Sequence, residues 1–198
     1  RNCSGLLGRA IESCKGQTVA PDSIIVVDDY SDVPVGSDGF GDVEIVRNER
    51  CLGKANSINS ILGKITTDLV CILDDDTILD KRYFEEVFRT FTNDRVVASC
   101  GIILPLNSGV IPNIRYIDYL YGQSTYKRLQ VLFKMVLVSA GCSTVWKTDY
   151  IKANKIPCAT VIEDLDATWK AELAEYEVSF TDKARAYTQE PDTLGKYY

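Results

Sequence analysis

The sequence predicts an α/β sandwich with a largely parallel central sheet flanked by helices, and three observations predict it. Short, β-branched apolar runs recur along the chain, as strands buried on both faces do. Between them lie segments whose apolar residues repeat at helical spacing, and this alternation is the signature of strand–helix–strand units. Acidic residues gather where the apolar runs end, which is where open α/β sheets collect ligands.

The elements follow in order. "SGLLGRAIESCK" sets Leu7, Ala10, Ile11 and Cys14 on one helical face, with Ser4 as N-cap candidate. "SIIVVDD" (23–29) and "VEIVRN" (43–48) predict two strands, separated by the turn-rich loop 31–42. "KANSINSILGK" carries a stripe of Ala55, Ile58, Ile61 and Leu62, with Gly63 suited to stop the helix. "LVCILDDD" (69–76) predicts a third strand. "KRYFEEVFRTF" predicts a helix with Tyr83, Phe84, Val87, Phe88 and Phe91 turned inward. "VVASCGIIL" (96–104) and "MVLVSAG" (135–141) complete the strand set. In the stretch 113–130, Ile114, Ile117 and Tyr121 suit a core stripe and an interfacial or acceptor-side helix equally.

Composition narrows the function. A chain of 198 residues with 45% hydrophobic and 25% charged residues is expected to form one globular domain over 1–198. Its net charge of −6 argues against a surface built for a nucleic-acid backbone. There is no histidine, which excludes Ser-His-Asp triads and Cys-His pairs, and no C-x-x-C pair to suggest a zinc finger. Seven scattered cysteines read as reduced thiols of a cytosolic compartment. No apolar run approaches the about 20 residues of a membrane-spanning helix. A chain that begins at Arg1 rather than Met is expected to be cut from something longer.

The chemistry must therefore come from carboxylates, Lys, Tyr or Cys. Asp28 and Asp29 end one predicted strand; Asp74, Asp75 and Asp76 end another. One acid at such a place is an ordinary cap, but five at two strand ends call for a cation or a ligand rich in donors. Asp74 and Asp76, two residues apart, offer hard oxygen ligands suited to Mg2+ or Mn2+. Such an ion, held by one or two carboxylates, shares its shell with substrate phosphates, so a diphosphate is the expected ligand. Glu163, Asp164 and Asp166 crowd a predicted helix start. Capping accounts for part of that charge, and a general base acting on a hydroxyl accounts for the rest. Arg47, Arg50 and Lys54 surround Gly53 just before a helix, a plausible diphosphate contact.

Together these segments resemble a known family. "IIVVDDYSD", "VRNERCLGKANSIN", "LDDDTILD", "SAGCSTVWKTDYI", "IEDLDATWKAELAEYEV" and "TQEPDTL" stand in the order and spacing of family 2 glycosyltransferases of the GT-A fold. The likeness is nearest to the processive branch of hyaluronan, chitin and cellulose synthases. It implies inverting, metal-dependent transfer of a sugar from a UDP-sugar to an acceptor hydroxyl in polysaccharide or glycan synthesis, on a glycan or lipid-linked acceptor. By position, Asp28 and Asp29 match the acids at uracil and ribose, and Lys54 the lysine near the diphosphate, with Asp75 beside it. Asp74 and Asp76 match the D-x-D pair that holds Mg2+ or Mn2+. Glu163 and Asp164 match T-E-D, with Asp164 as base. Gly141, Cys142 and Ser143 match the acceptor-lining segment, and Trp169 its aromatic.

Departures are visible. The T-E-D threonine is Ile162 here. The family's first strand and its Q-x-x-R-W segment are absent, so the chain is expected to be a fragment of a catalytic domain. The resemblance places such a domain at the cytoplasmic face of a membrane, held there by segments outside this chain, with the fragment itself soluble. Two alternatives stand beside it: a haloacid-dehalogenase-type phosphatase with Asp74 as nucleophile, and a non-catalytic nucleotide-sugar-binding domain.

Overall fold

The computed structural model describes all residues except Ser4, Ser37, Asp38, Val161, Leu194 and 196–198; the N-cap predicted at Ser4 lies outside them. The element order is α1 (Leu7–Lys15), β1 (Ile25–Asp28), β2 (Glu44–Arg47), α2 (Lys54–Ile61), β3 (Leu69–Leu73), β4 (Ile78–Leu79), α3 (Tyr83–Phe88), β5 (Val96–Pro105), α4 (Val110–Gly122), α5 (Arg128–Leu132), β6 (Ser143–Lys147), α6 (Thr148–Asn154), α7 (Glu163–Leu173) and β7 (Glu177–Thr188). A π-helical turn over Gln123–Lys127 joins α4 to α5.

Strands β1 and β2 pair in parallel, and a five-stranded sheet runs β3-β6-β5-β7-β4. The expected sandwich of sheet and helices is present, but the sheet is mixed. Within it only β5 and β7 are parallel; β3–β6, β5–β6 and β4–β7 are antiparallel. The strand predicted over 135–141 accounts for part of the difference. It forms no ladder, and the strand that pairs with β3 and β5 is the next segment, Ser143–Lys147. The backbone donors of 135–141 go elsewhere. Met135 N–H bonds to Gln130 O (2.9 Å) and Leu137 N–H to Gln130 Oε1 (3.1 Å). Ser139 N–H bonds to Thr168 Oγ1 (3.0 Å) and Gly141 N–H to Asp164 Oδ2 (3.1 Å). Side chains of α5 and α7 thus take the place of a neighbouring strand, meeting the demand that backbone polar groups be paired.

Helices α1 and α3 pack as their periodicity requires. Ala10, Ile11 and Cys14 of α1 are buried, as are Tyr83, Phe84 and Val87 of α3. Leu62 anchors the end of α2, where Leu62–Lys64, including Gly63, tightens into a 3-10 turn. Trp146, Val97, Ala98, Ala167, Ala171 and Ile151 form one core cluster, between the sheet and α6 and α7. Tyr83 closes a second, hydrogen bonding through its hydroxyl to Ser143 O (2.6 Å) and receiving the Gly101 N–H (3.0 Å). Gly101 is required there, because a Cβ would lie 2.4 Å from Ala184 O and 2.7 Å from the Tyr83 ring.

Candidate active site

The antiparallel pairing of β3 with β6 creates the site. Leu73 stands opposite Ser143, so the acids after β3 meet the residues before β6, and Asp74 N–H bonds to Cys142 O (3.1 Å). The Asp74–Thr77 turn (Thr77 N–H to Asp74 O, 3.1 Å) carries the three acids, each half-buried, beside the cleft residue Lys54 that pairs with Asp74. The amino end of α7 enters from the other side and brings Glu163 and Asp164.

Lys54, at the start of α2, joins these parts. Its Nζ lies 2.6 Å from Asp74 Oδ1, 3.5 Å from Glu163 Oε1 and 3.1 Å from Gly141 O. Partial burial acts to lower the lysine pKa, but Asp74 and Glu163 outweigh it and the pKa is raised. For Asp74, burial acts first to raise the pKa. Asp76 and Asp75 add to that, and together they exceed the opposing pull of Lys54. Asp76 Oδ1 faces the hydroxyls of Thr77 and Thr188, each at 3.4 Å. Among the described residues, no three His, Cys, Asp or Glu side chains form a group able to hold a metal ion by themselves.

Asp164 is held by two backbone donors: Gly141 N–H at Oδ2 (3.1 Å) and Leu165 N–H at Oδ1 (2.9 Å). Gly141 permits that approach, since a Cβ there would stand 2.8 Å from Asp164 Oδ2. One turn on, Thr168 donates to Asp164 O (2.7 Å) and its hydroxyl meets Ser139 Oγ (2.9 Å). Both side chains are buried. This Ser139–Thr168 pair, absent from the sequence reading, fixes the segment before Gly141 against α7. The only local signal for it is a Thr four residues after Asp164. Asp166 pairs with Lys170 on the outer face of α7 (3.3 Å) and takes no part in the cleft.

The acids after β1 are occupied by the protein. Asp28 is buried; it accepts from Ser31 N–H (2.9 Å) and Val35 N–H (3.3 Å) and pairs with Arg47. Burial acts to raise its pKa, but the donors of Ser31, Val35 and Arg47 prevail and hold it at about 2. Asp29 accepts from Leu52 N–H (2.7 Å), Gly53 N–H (2.8 Å) and Asn48 Nδ2 (2.9 Å). These bonds overcome the cost of burial and drive its pKa well down. Arg47, grouped with the diphosphate by sequence, instead bonds Asp28 and Ser31 O (2.8 Å).

The residues expected on the acceptor side divide. Gly141 lines the cleft; Cys142 is half-buried beside it, and burial, with Asp74 nearby, pushes its thiol up to about 11. Ser143 does not reach the cleft; it is fully buried against Tyr83. Trp169 lies half-exposed on α7 with its indole N–H on Leu137 O (2.8 Å). Asp75 lies on the same turn as Asp74 and is half-buried.

The fold is the GT-A fold of solved glycosyltransferases. In solved structures the fold matches a mannosyltransferase from Pyrobaculum calidifontis in complex with GDP-Man and Mn2+ (TM-score 0.69, 16% identity, 96% of this chain and 54% of that one). It also matches GalNAc-T7 with UDP, GalNAc and Mn2+ (TM-score 0.68, 14% identity, 96% of this chain and 41% of that one). The family profile described as Glycosyl transferase family 2 matches residues 1–152, and the chain belongs to that family. Relatives include the poly-beta-1,6-N-acetyl-D-glucosamine synthase of Staphylococcus epidermidis, 28% identical over 161 residues (79% of this chain, 37% of the relative). The enzyme of the same name from Staphylococcus aureus strain COL is 28% identical over 146 residues (72% and 35%). The chain therefore spans little more than a third of the length of these curated relatives. The phosphatase alternative falls with the fold.

Proposed function

We propose that this chain carries the donor site and the base of an inverting glycosyltransferase that moves a sugar from a UDP-sugar onto a glycan or lipid-linked acceptor, in polysaccharide synthesis at a membrane. The observation that carries the reading is the convergence on Lys54, whose ammonium spans Asp74 on the donor side and Glu163, next to Asp164, on the base side.

Lys54 is placed to receive the diphosphate, exchanging part of its contact with Asp74 for phosphate oxygens. Asp74 and Asp76 fit a hard divalent ion of the Mg2+ or Mn2+ type. An ion held by one or two carboxylates has a shell that phosphates complete, and a cation would offset the burial and the neighbouring acids that raise the Asp74 pKa. Such an ion supplies charge neutralisation for the departing diphosphate. Asp28 and Asp29 shape the uracil and ribose pocket through the loops they hold, with Asp75 on its rim.

On the other side Asp164, oriented by the Gly141 and Leu165 N–H groups, accepts the proton of the acceptor hydroxyl. That oxygen forms its bond to the sugar C1 while the C1–O bond to the diphosphate breaks, its electron pair leaving with UDP. Attack opposite the leaving group inverts C1. Glu163 keeps Lys54 in place, and Gly141, Cys142 and the Trp169 ring receive the acceptor.

Calorimetric titration of UDP tests the donor half. Binding that needs Mn2+, disappears with EDTA and is lost in Asp76→Ala is the expected result; no binding in either condition refutes it.

A further inference from the structure

A second cavity, of about 240 Å³, lies between α6 and α7. Trp146 and Ala167 line both this cavity and the cleft, so the two spaces share a wall. Its polar side is formed by Tyr150, Asn154, Lys155 and Lys170. Two of these groups lack the partners that such groups normally find. Tyr150 is nine-tenths buried, with its ring stacked on Trp146 (centroids 5.9 Å apart) and edge-on to Tyr176 (5.0 Å). Its hydroxyl nevertheless bonds to no described residue, although a buried tyrosine hydroxyl usually does. The Lys155 ammonium has no ion pair or hydrogen bond among the described residues. The Lys155 backbone is also strained, at φ 62° and ψ 158°. It is held there by its N–H on Ile151 O (2.8 Å) and by Asn59, whose amide both donates to and accepts from the Ile156 backbone (2.8 Å each). Backbone fixed in so sparsely populated a region gathers at ligand clamps.

We infer that this cavity binds a monosaccharide carrying one anionic group, a phosphate or a carboxylate, at a site separate from the donor site and independent of the glycosyl-transfer reading. Its volume sets the size of the ligand. Sites for drug-sized molecules measure about 300–1,000 Å³, so this one takes a single ring rather than a nucleotide. Its lining sets the polarity. The Tyr150 hydroxyl and the Asn154 amide oxygen, whose nitrogen is engaged by Tyr150 O (2.9 Å), call for the hydroxyls of a sugar. An aromatic ring would leave the buried Tyr150 hydroxyl unpaired, which is costly. Charge sets the number of anionic groups. Lys170 is paired with Asp166 (3.3 Å), which leaves Lys155 for one of them. The occupant rests on Ala167, three residues after Asp164 on α7, and on the Trp146 wall shared with the cleft.

The test is calorimetric titration of glucose 6-phosphate and of glucuronate into the 198-residue chain and into its Lys54→Met variant, which alters the cleft alone. The expected result is saturable binding, of equal affinity in the two proteins. Lys155→Gln should weaken it about tenfold to a hundredfold, and Tyr150→Phe about threefold to tenfold. Neither substitution removes a contact within the protein, so thermal unfolding of both variants is expected to match or exceed that of the parent. Absence of saturable binding of either sugar, unchanged binding in both cavity variants, or binding lost in Lys54→Met overturns the inference. Inorganic phosphate bound as tightly as glucose 6-phosphate also overturns it, leaving an adventitious ion only. So does benzoate bound more tightly than glucuronate, which would replace the sugar with an aromatic ring. Tighter binding of one sugar than the other supports the site and identifies its anionic group. UDP titration of Lys155→Gln, expected at the parent's affinity, keeps this result separate from the donor-site reading.

Discussion

The Lys54 ammonium stands 2.6 Å from Asp74 Oδ1 and 3.5 Å from Glu163 Oε1, between the acids proposed for the donor and those proposed for the base. Lys54 belongs to the first turn of α2 and Asp74 directly follows β3, so one ion pair ties the Gly53 loop to the Asp74–Thr77 turn. Lys54→Met removes a charge-assisted bond worth about 1.5–3 kcal/mol to a bound anion. UDP affinity is expected to fall about tenfold to a hundredfold by calorimetry, with little change in thermal stability.

Asp164→Asn keeps an acceptor for the Gly141 N–H and loses the basic carboxylate. Transfer, measured as UDP release from a UDP-sugar with an acceptor present, should drop by about 10²–10⁴. UDP binding should be unchanged. A variant that binds UDP and still transfers at the parent rate removes Asp164 from the base role, and a parent that binds without ever transferring favours the non-catalytic alternative.

Gly141→Ala sets a methyl group 2.8 Å from Asp164 Oδ2. The carboxylate must move, and misplacement by about 1 Å can cost about a hundredfold in rate. The expected signature is a loss of transfer with UDP affinity kept. The larger change should appear in kcat.

Acid should loosen the β1 end first. Asp28 is held at about 2 against an ordinary 3.8. A depressed carboxylate gives stability that is fully present above the ordinary value and is lost as pH falls through the depressed one. The contribution is on the order of 2 kcal/mol. Urea unfolding between pH 6 and about pH 2 should therefore show a steep loss below about pH 4, and Asp28→Asn should flatten that slope while lowering stability at neutral pH.

Tyr83→Phe deletes the hydroxyl that serves Ser143 and the Gly101 N–H. Those groups are buried, so a loss of about 1–3 kcal/mol is expected in chemical denaturation. UDP binding should survive, because Ser143 faces the core.

Much of this was local enough to read from sequence. Acids after an apolar run, a Gly-Lys pair before a helical stripe, and acids at a helix start depend on a few neighbouring residues, and each stands near its predicted place. The apolar stripes of α1 and α3 turned inward for the same reason: helical spacing alone fixes which residues share a face. Periodicity does not say which face meets the protein. Ile114, Ile117 and Tyr121 make as good a stripe as those of α3, yet they face outward, because Arg115 and Tyr119 have partners within the body.

The sequence by itself determined the alternation of strands and helices, the identity of the acids and the family they resemble. Only the tertiary structure decided the direction of the strands, since an apolar run carries no mark of its partner. It made Ser143–Lys147, rather than 135–141, the strand beside β3, because Gln130, Thr168 and Asp164 satisfy the earlier segment's N–H groups from the side. That antiparallel choice brings Cys142 to Asp74 and sets Gly141, beside it, against Asp164 of α7. A site assembled from residues 54, 74, 141 and 164 exists only once long-range pairing has closed those distances.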